Sequence, residues 1–160
     1  MQRKDAKTII LYYQAIPEMR RILQKERREL EAEYLALEGV NMDGLPRGSG
    51  AGKPVESLAI RMEESGAADR LREIEQRMQV LEGDRRHVQS ALDAVNGKYK
   101  TVLTMRYIVG YSWGAISART GIPDSTVRRW EEKGLVRLGK ALEAAGETAG
   151  ILHRASCARV

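Results

Sequence analysis

The stretch YKTVLTMRYIVGYSWGAISARTGIPDSTVRRWEEKGLVRLGKAL, Tyr99 to Leu142, decides the fold because its punctuation divides it into three helices. Asn96-Gly97 ends the helix before it. Gly110 follows an apolar-periodic segment containing Leu103, Tyr107 and Ile108, and Ser112 stands where it can cap the next helix. That helix, from Trp113 to about Thr120, turns Ile116 inward. Gly121 supplies a left-handed turn residue, Ile122 plugs the core, and a third helix starts near Asp124 with Val127 on its buried side. A short helix, a tight glycine turn and a second helix with a basic outer face make the helix-turn-helix plan, in which the second helix lies in the major groove of DNA.

The second helix has the side chains for that task. Arginine forks onto guanine edges, while hydroxyls and lysines more often hold phosphates. Ser125, Thr126 and Arg129 are the candidates for base edges. Arg128, Lys133 and Arg137 are the phosphate candidates, with Lys140 further along and Arg119 joining them from the preceding helix. Trp130, at helical spacing from Val127 and Gly134, reads as a core residue.

Charge is distributed to match. Residues 1–97 carry 16 Lys/Arg against 17 Asp/Glu, residues 98–145 carry 9 against 4, and the last 15 carry 2 against 1. Nearly all of the positive excess therefore lies in the segment that reads as DNA-binding, and nucleic acid is the commonest polyanion such a segment meets.

Working back toward the N-terminus, the remainder reads as helical stem. Phe is absent and 31% of the chain is charged, a composition of long helices and coiled coils. Ile9, Tyr12, Ile16, Met19, Leu23, Glu26, Leu30, Glu33 and Leu37 alternate at spacings of three and four, a heptad stripe with two acidic interruptions. Pro17 falls inside it and predicts a kink or a late helix start. A second stripe runs Ala67, Leu71, Ile74, Met78, Leu81, Arg85, Val88, Leu92 and Val95, broken only by Arg85. Pairing the two stripes as an antiparallel hairpin is the simplest arrangement, since each then has a partner in the same chain. Pairing between copies is the competing arrangement. The expected layout is all-α: a helical hairpin over 1–97 with a connector at 39–57, a helix-turn-helix domain over 98–145, and a flexible tail over 146–160.

The connector contains GLPRGSGAGKPVES, Gly44 to Ser57, whose Gly-Lys pair invites comparison with a phosphate-binding loop. That motif needs a glycine, four residues, then Gly-Lys and a hydroxyl residue, set between a strand and a helix. Here Arg47 occupies the position of the first glycine and Pro54 that of the hydroxyl. No strand pattern precedes the loop. Nucleotide binding is not expected, nor is an enzyme: the two histidines, His87 and His153, are far apart in sequence, and Cys157 is alone. No cofactor or metal is expected. With no apolar run near the roughly 20 residues that span a bilayer, the expected location is the cytoplasm.

Two quoted segments carry a resemblance. LTMRYIVGYSWGAISARTGIPDSTVRRWEEKGLVRLGKAL resembles region four of bacterial sigma factors. With the hairpin and its DGLPRGSGAGKPVES connector, residues 5–145 resemble the small phage and prophage sigma-like regulators of late transcription of the RinA/ArpU type. The resemblance implies double-stranded DNA and bacterial RNA polymerase as partners, in a bacterial host cytoplasm, with a second copy of the chain pairing through the hairpin as a further option. The family usually has an acidic pair where Gly114-Ala115 stand, and a hydroxyl where Pro123 stands, which shifts the expected cap of the recognition helix to Asp124. A rival reading is a phage DNA-packaging component like a small terminase subunit, which also joins helix-turn-helix and coiled coil but in the opposite order. A third reading is a protein-interaction hairpin carrying a vestigial basic domain.

Overall fold

The computed structural model describes residues 1–40 and 66–158. Among them there is no strand, and the protein is all-α with a long N-terminal helix. Helix α1 spans Arg3–Val40, α2 Ala67–Asp93, α3 Gly97–Leu103, α4 Trp113–Thr120, α5 Asp124–Ala145 and α6 Thr148–Cys157. A π-helical turn, Thr104–Ile108, extends α3. The phosphate-loop-like stretch, and the connector from residue 41 onward, lie outside the described residues.

The chain divides into two compact units, Met1–Pro17 with Glu82–Val160, and Glu18–Leu81. Helix α1 meets α2 within the chain in each. In the second unit Leu23, Ala67, Ile74 and Leu81 are buried, while Met19, Leu30, Leu71 and Met78 are half-buried. Glu26 is exposed, so the acidic interruption of the first stripe leaves the seam to its apolar neighbours. Arg27 pairs with Glu31 on its own helix at 2.8 Å and approaches Glu75 on α2 at 3.9 Å.

Pro17 neither delays α1 nor ends it: the helix begins at Arg3 and runs through the proline. The ring is exposed, a position where solvent can replace the hydrogen bond that proline cannot donate.

In the larger unit Ile9, Ile10, Ile16, Val88, Leu92, Leu135, Leu138, Leu142 and Ile151 are among the side chains wholly removed from water. Each contributes about 1.5–3 kcal/mol relative to exposure. The second stripe corrects one expectation here. Arg85 is exposed, and it is Asp84, one residue earlier and only 4% exposed, that enters the seam. Its carboxylate is fully engaged: Tyr12 donates its hydroxyl to Oδ2 at 2.8 Å, and Arg154 donates Nε to Oδ2 at 2.7 Å and Nη2 to Oδ1 at 2.5 Å. A buried carboxylate is tolerated when hydrogen bonds and a guanidinium fork replace its water. Burial, and then the hydrogen bond to Asp84, push the Tyr12 hydroxyl well above its usual pKa.

Arg154 belongs to the segment expected to be a flexible tail, which is instead helix α6. Gly146, in the left-handed region at φ 91°, ends α5, and Thr148 donates its hydroxyl to the Leu142 carbonyl at 2.7 Å. Ile151 and Ala155, one turn apart, are buried. Two small apolar anchors and the Arg154–Asp84 fork thus tie a segment whose composition alone looked slack.

Candidate nucleic-acid interface

The helix-turn-helix is assembled by local rules. After the π-helical turn, Val109 donates to the Thr104 carbonyl and Tyr111 to that of Met105, both at 2.9 Å. Gly110 reverses the chain at φ 84°. Ser112 caps α4 by accepting from the Ala115 amide at 3.2 Å, so the helix start stands without the acidic pair. Gly121 terminates α4 in the left-handed region at φ 68°. Inside the turn Ser117 donates its hydroxyl to the Ile122 carbonyl at 2.6 Å. Pro123 occupies the N-cap position of α5 with no side-chain cap. Asp124 does not take over as cap: its Oδ2 accepts from Arg128 Nε at 3.0 Å, one turn on. Its position in the first turn still suits the helix dipole.

Val102, Ile116 and Val127 form the buried centre, with Met105, Tyr111, Trp113, Ile122 and Trp130 packed half-buried around it. Trp130 therefore contributes to packing, meeting Tyr99 edge-to-face with centroids 6.5 Å apart. Helices α3 and α5 approach so closely that a Cβ on Gly134 would lie 3.1 Å from Leu103 Cγ. Glu131, 8% exposed, accepts from the hydroxyl of buried Tyr107. Burial first, then Glu131, raise the Tyr107 pKa. These contacts set the rotation of α5 about its axis.

With Val127, Glu131, Gly134, Leu135, Leu138 and Leu142 inward, the 3.6-residue repeat puts Ser125, Arg129, Lys133, Val136 and Lys140 on the opposite stripe. All five are exposed. Arg129, Lys133 and Lys140 have no ion-pair partner among the described residues. Thr126 is half-buried beside this stripe.

The remaining candidates are held to the side. Arg128 is tied to Asp124, with its guanidinium 5.6 Å from the Trp113 ring centre. Arg137 lies 4.5 Å from the centre of the Tyr99 ring, and Arg119 4.4 Å from that of Tyr111. Each ring braces its cation, worth about 0.5–1 kcal/mol at an exposed site. Sequence reading missed two further cations of this kind. Lys98 lies 5.3 Å from Tyr99 and 5.0 Å from Trp130, and Arg106 lies 4.5 Å from Trp113 while donating to the Tyr111 carbonyl at 2.9 Å. The adjacency of Lys98 to Tyr99 was the available signal for the first. Nothing local marked the second, because the π-helical turn sets its direction.

Residues 71–138, which run from α2 through most of α5, match the family model for Sigma-70, region 4. No curated protein and no solved structure matches the chain. The chain carries a sigma-like helix-turn-helix.

Proposed function

We propose that this chain is a sequence-specific DNA-binding transcription regulator of phage or prophage genes that acts with the host RNA polymerase, without catalysis and without a cofactor. The observation that carries the reading is the outward stripe of α5, where cations without acidic partners follow a hydroxyl at the helix start. In the major groove, Ser125, Thr126 and Arg129 read base edges, and Lys133, Arg137 and Arg119 hold phosphates. Arg128 serves the phosphate role only by exchanging Asp124 for DNA, so its share is smaller.

The polymerase enters for a physical reason as well as through the match to Sigma-70, region 4. One module of this size covers about 600–1,000 Å² of interface. Specific occupancy of a promoter therefore needs a second attachment. The phage assignment rests on the resemblance of the hairpin, connector and helix-turn-helix taken together.

The test has two stages. Genomic fragments selected by the purified protein yield the target, and transcription from it by host polymerase is measured with and without the protein. Arg129→Ala should weaken the selected site by about 1–3 kcal/mol while leaving mixed-sequence DNA less affected. Equal loss on every sequence would remove base reading, and unchanged transcription would remove the regulatory role.

A further inference from the structure

The first two turns of α1 lie beside the helix-turn-helix, within the same compact unit. A cleft there is lined by Arg3, Lys4, Lys7, Trp113, Arg128 and Glu132. Lys7 also borders the adjoining recess, with Arg106 and Trp113. Helix α1 packs against α5 here: a Cβ on Gly139 of α5 would be in ordinary van der Waals contact, 3.7 Å, with the Ala6 Cβ. The charges in the cleft are unequally committed. Arg3 pairs with Glu132 at 2.8 Å, Arg128 with Asp124, and Glu131 accepts from Tyr107. Lys4 and Lys7 are exposed and have no ion-pair partner among the described residues.

We infer that Lys4 and Lys7 form a second, sequence-independent DNA contact, gripping backbone phosphates that flank the groove read by α5. The inference rests on the DNA-binding reading above and extends it to a part of the chain outside the matched residues 71–138. The placement of the two lysines supports DNA phosphate as the occupant. Lys4 and Lys7 line the same cleft as Trp113, the first residue of α4, and Arg128 in the opening turns of α5. Those two helix starts are the parts of a helix-turn-helix that approach the duplex. Beyond the groove edge the duplex presents phosphate, at one charge per roughly 1.7 Å of axis. Lysine meets phosphate as a compact point charge and carries no base preference. The cleft is thus suited to fixing position on the duplex, and α5 to choosing sequence.

The experiment compares wild type, Lys4→Gln/Lys7→Gln, Lys4→Arg/Lys7→Arg and Arg129→Ala on one fluorescent duplex of mixed sequence, between 50 and 200 mM salt. Removing two phosphate contacts should make the slope of log Kobs against log salt shallower by about 2, so the affinity lost across that range shrinks roughly tenfold. The arginine pair should keep the wild-type slope, which a merely structural effect of the glutamines would not predict. Helical content by circular dichroism shows whether each variant is folded. A folded Lys4→Gln/Lys7→Gln protein with the wild-type slope overturns this inference alone, and points to an acidic protein surface as the occupant. Wild type that binds no duplex overturns the DNA-binding reading with it.

Discussion

The outward stripe of α5 and four same-helix ion pairs of the Glu18–Leu81 unit are built from the same residue types and use them in opposite ways. In the stem unit Arg21 faces Glu18, Lys25 faces Glu29, Arg27 faces Glu31 and Arg72 faces Asp69, each three or four residues away on its own helix. Such pairs neutralise locally on the helix surface. On α5, Arg129 and Lys133 stand one turn apart and Lys140 two turns further on, with no acid among the described residues to meet them. Like charges one turn apart cost the isolated helix about as much as opposite charges help it. Those four stem pairs are neutralised as folded, whereas the α5 stripe is electrostatically incomplete until a polyanion arrives. Where α5 pairs two charges of its own, at Asp124–Arg128, the arginine turns from the stripe toward Trp113.

The comparison can be broken most severely where a paired charge is also buried. Asp84→Ala should lower unfolding free energy by about 3 kcal/mol, because the Tyr12 hydroxyl loses its buried acceptor and Arg154 its fork. Thermal unfolding followed by circular dichroism should show the midpoint falling by roughly 6–12 °C. A shift under about 2 °C would mean that the network is incidental to the fold.

Arg129→Ala comes next and should do the reverse. Its unfolding midpoint should stay within about 0.5 kcal/mol of wild type, while binding to the selected site weakens by about 1–3 kcal/mol. A variant that unfolds easily yet binds normally would put Arg129 with the structural charges.

Alkaline pH offers a graded version. Tyr12 and Tyr107 both have hydroxyl pKa values raised from 10.0 in the fold. Their neutral forms are the stabilised ones, so the contribution is fully present below pH 10 and declines as pH rises above it. The slope is at most about 1.4 kcal/mol per pH unit for each tyrosine. Tyr107→Phe should remove its part of that decline in urea unfolding measured from pH 9 to 11; an unchanged slope would leave Tyr12 as its source.

The smallest effect belongs to the stem surface. Arg21→Gln, which removes an exposed pair, should shift the thermal midpoint by less than about 2 °C and leave the salt dependence of DNA binding at the wild-type slope. A shallower slope would extend the DNA-binding surface into the stem.

Legibility followed the range of the interactions involved. The boundaries of α4, the left-handed turn at Gly121 and the inward Ile116 and Val127 could be read from residues within one or two turns of each other, and the structure has them as expected. Ser112 as cap belongs to the same class. Arg85 and Asp84 fit the heptad equally well by spacing, since both lie three or four residues from Leu81 and from Val88. The choice fell to Arg154, seventy residues further on, which supplies the charge that makes the aspartate tolerable inside. That same contact explains why α6 was missed, because each end of the fork is uninformative without the other.

The sequence by itself determined the helical composition, the two apolar stripes, the punctuation of the helix-turn-helix and the concentration of the net positive charge in residues 98–145. These are properties of neighbours along the chain. Only the tertiary structure decided which cations remain uncommitted, which are braced on Trp113, Tyr99 or Tyr111, and that Lys4 and Lys7 share a cleft with α4 and α5. The reason is that a charge is neutralised, stacked or left available by what lies within a few ångströms of it, and for these residues that neighbourhood comes from distant parts of the chain.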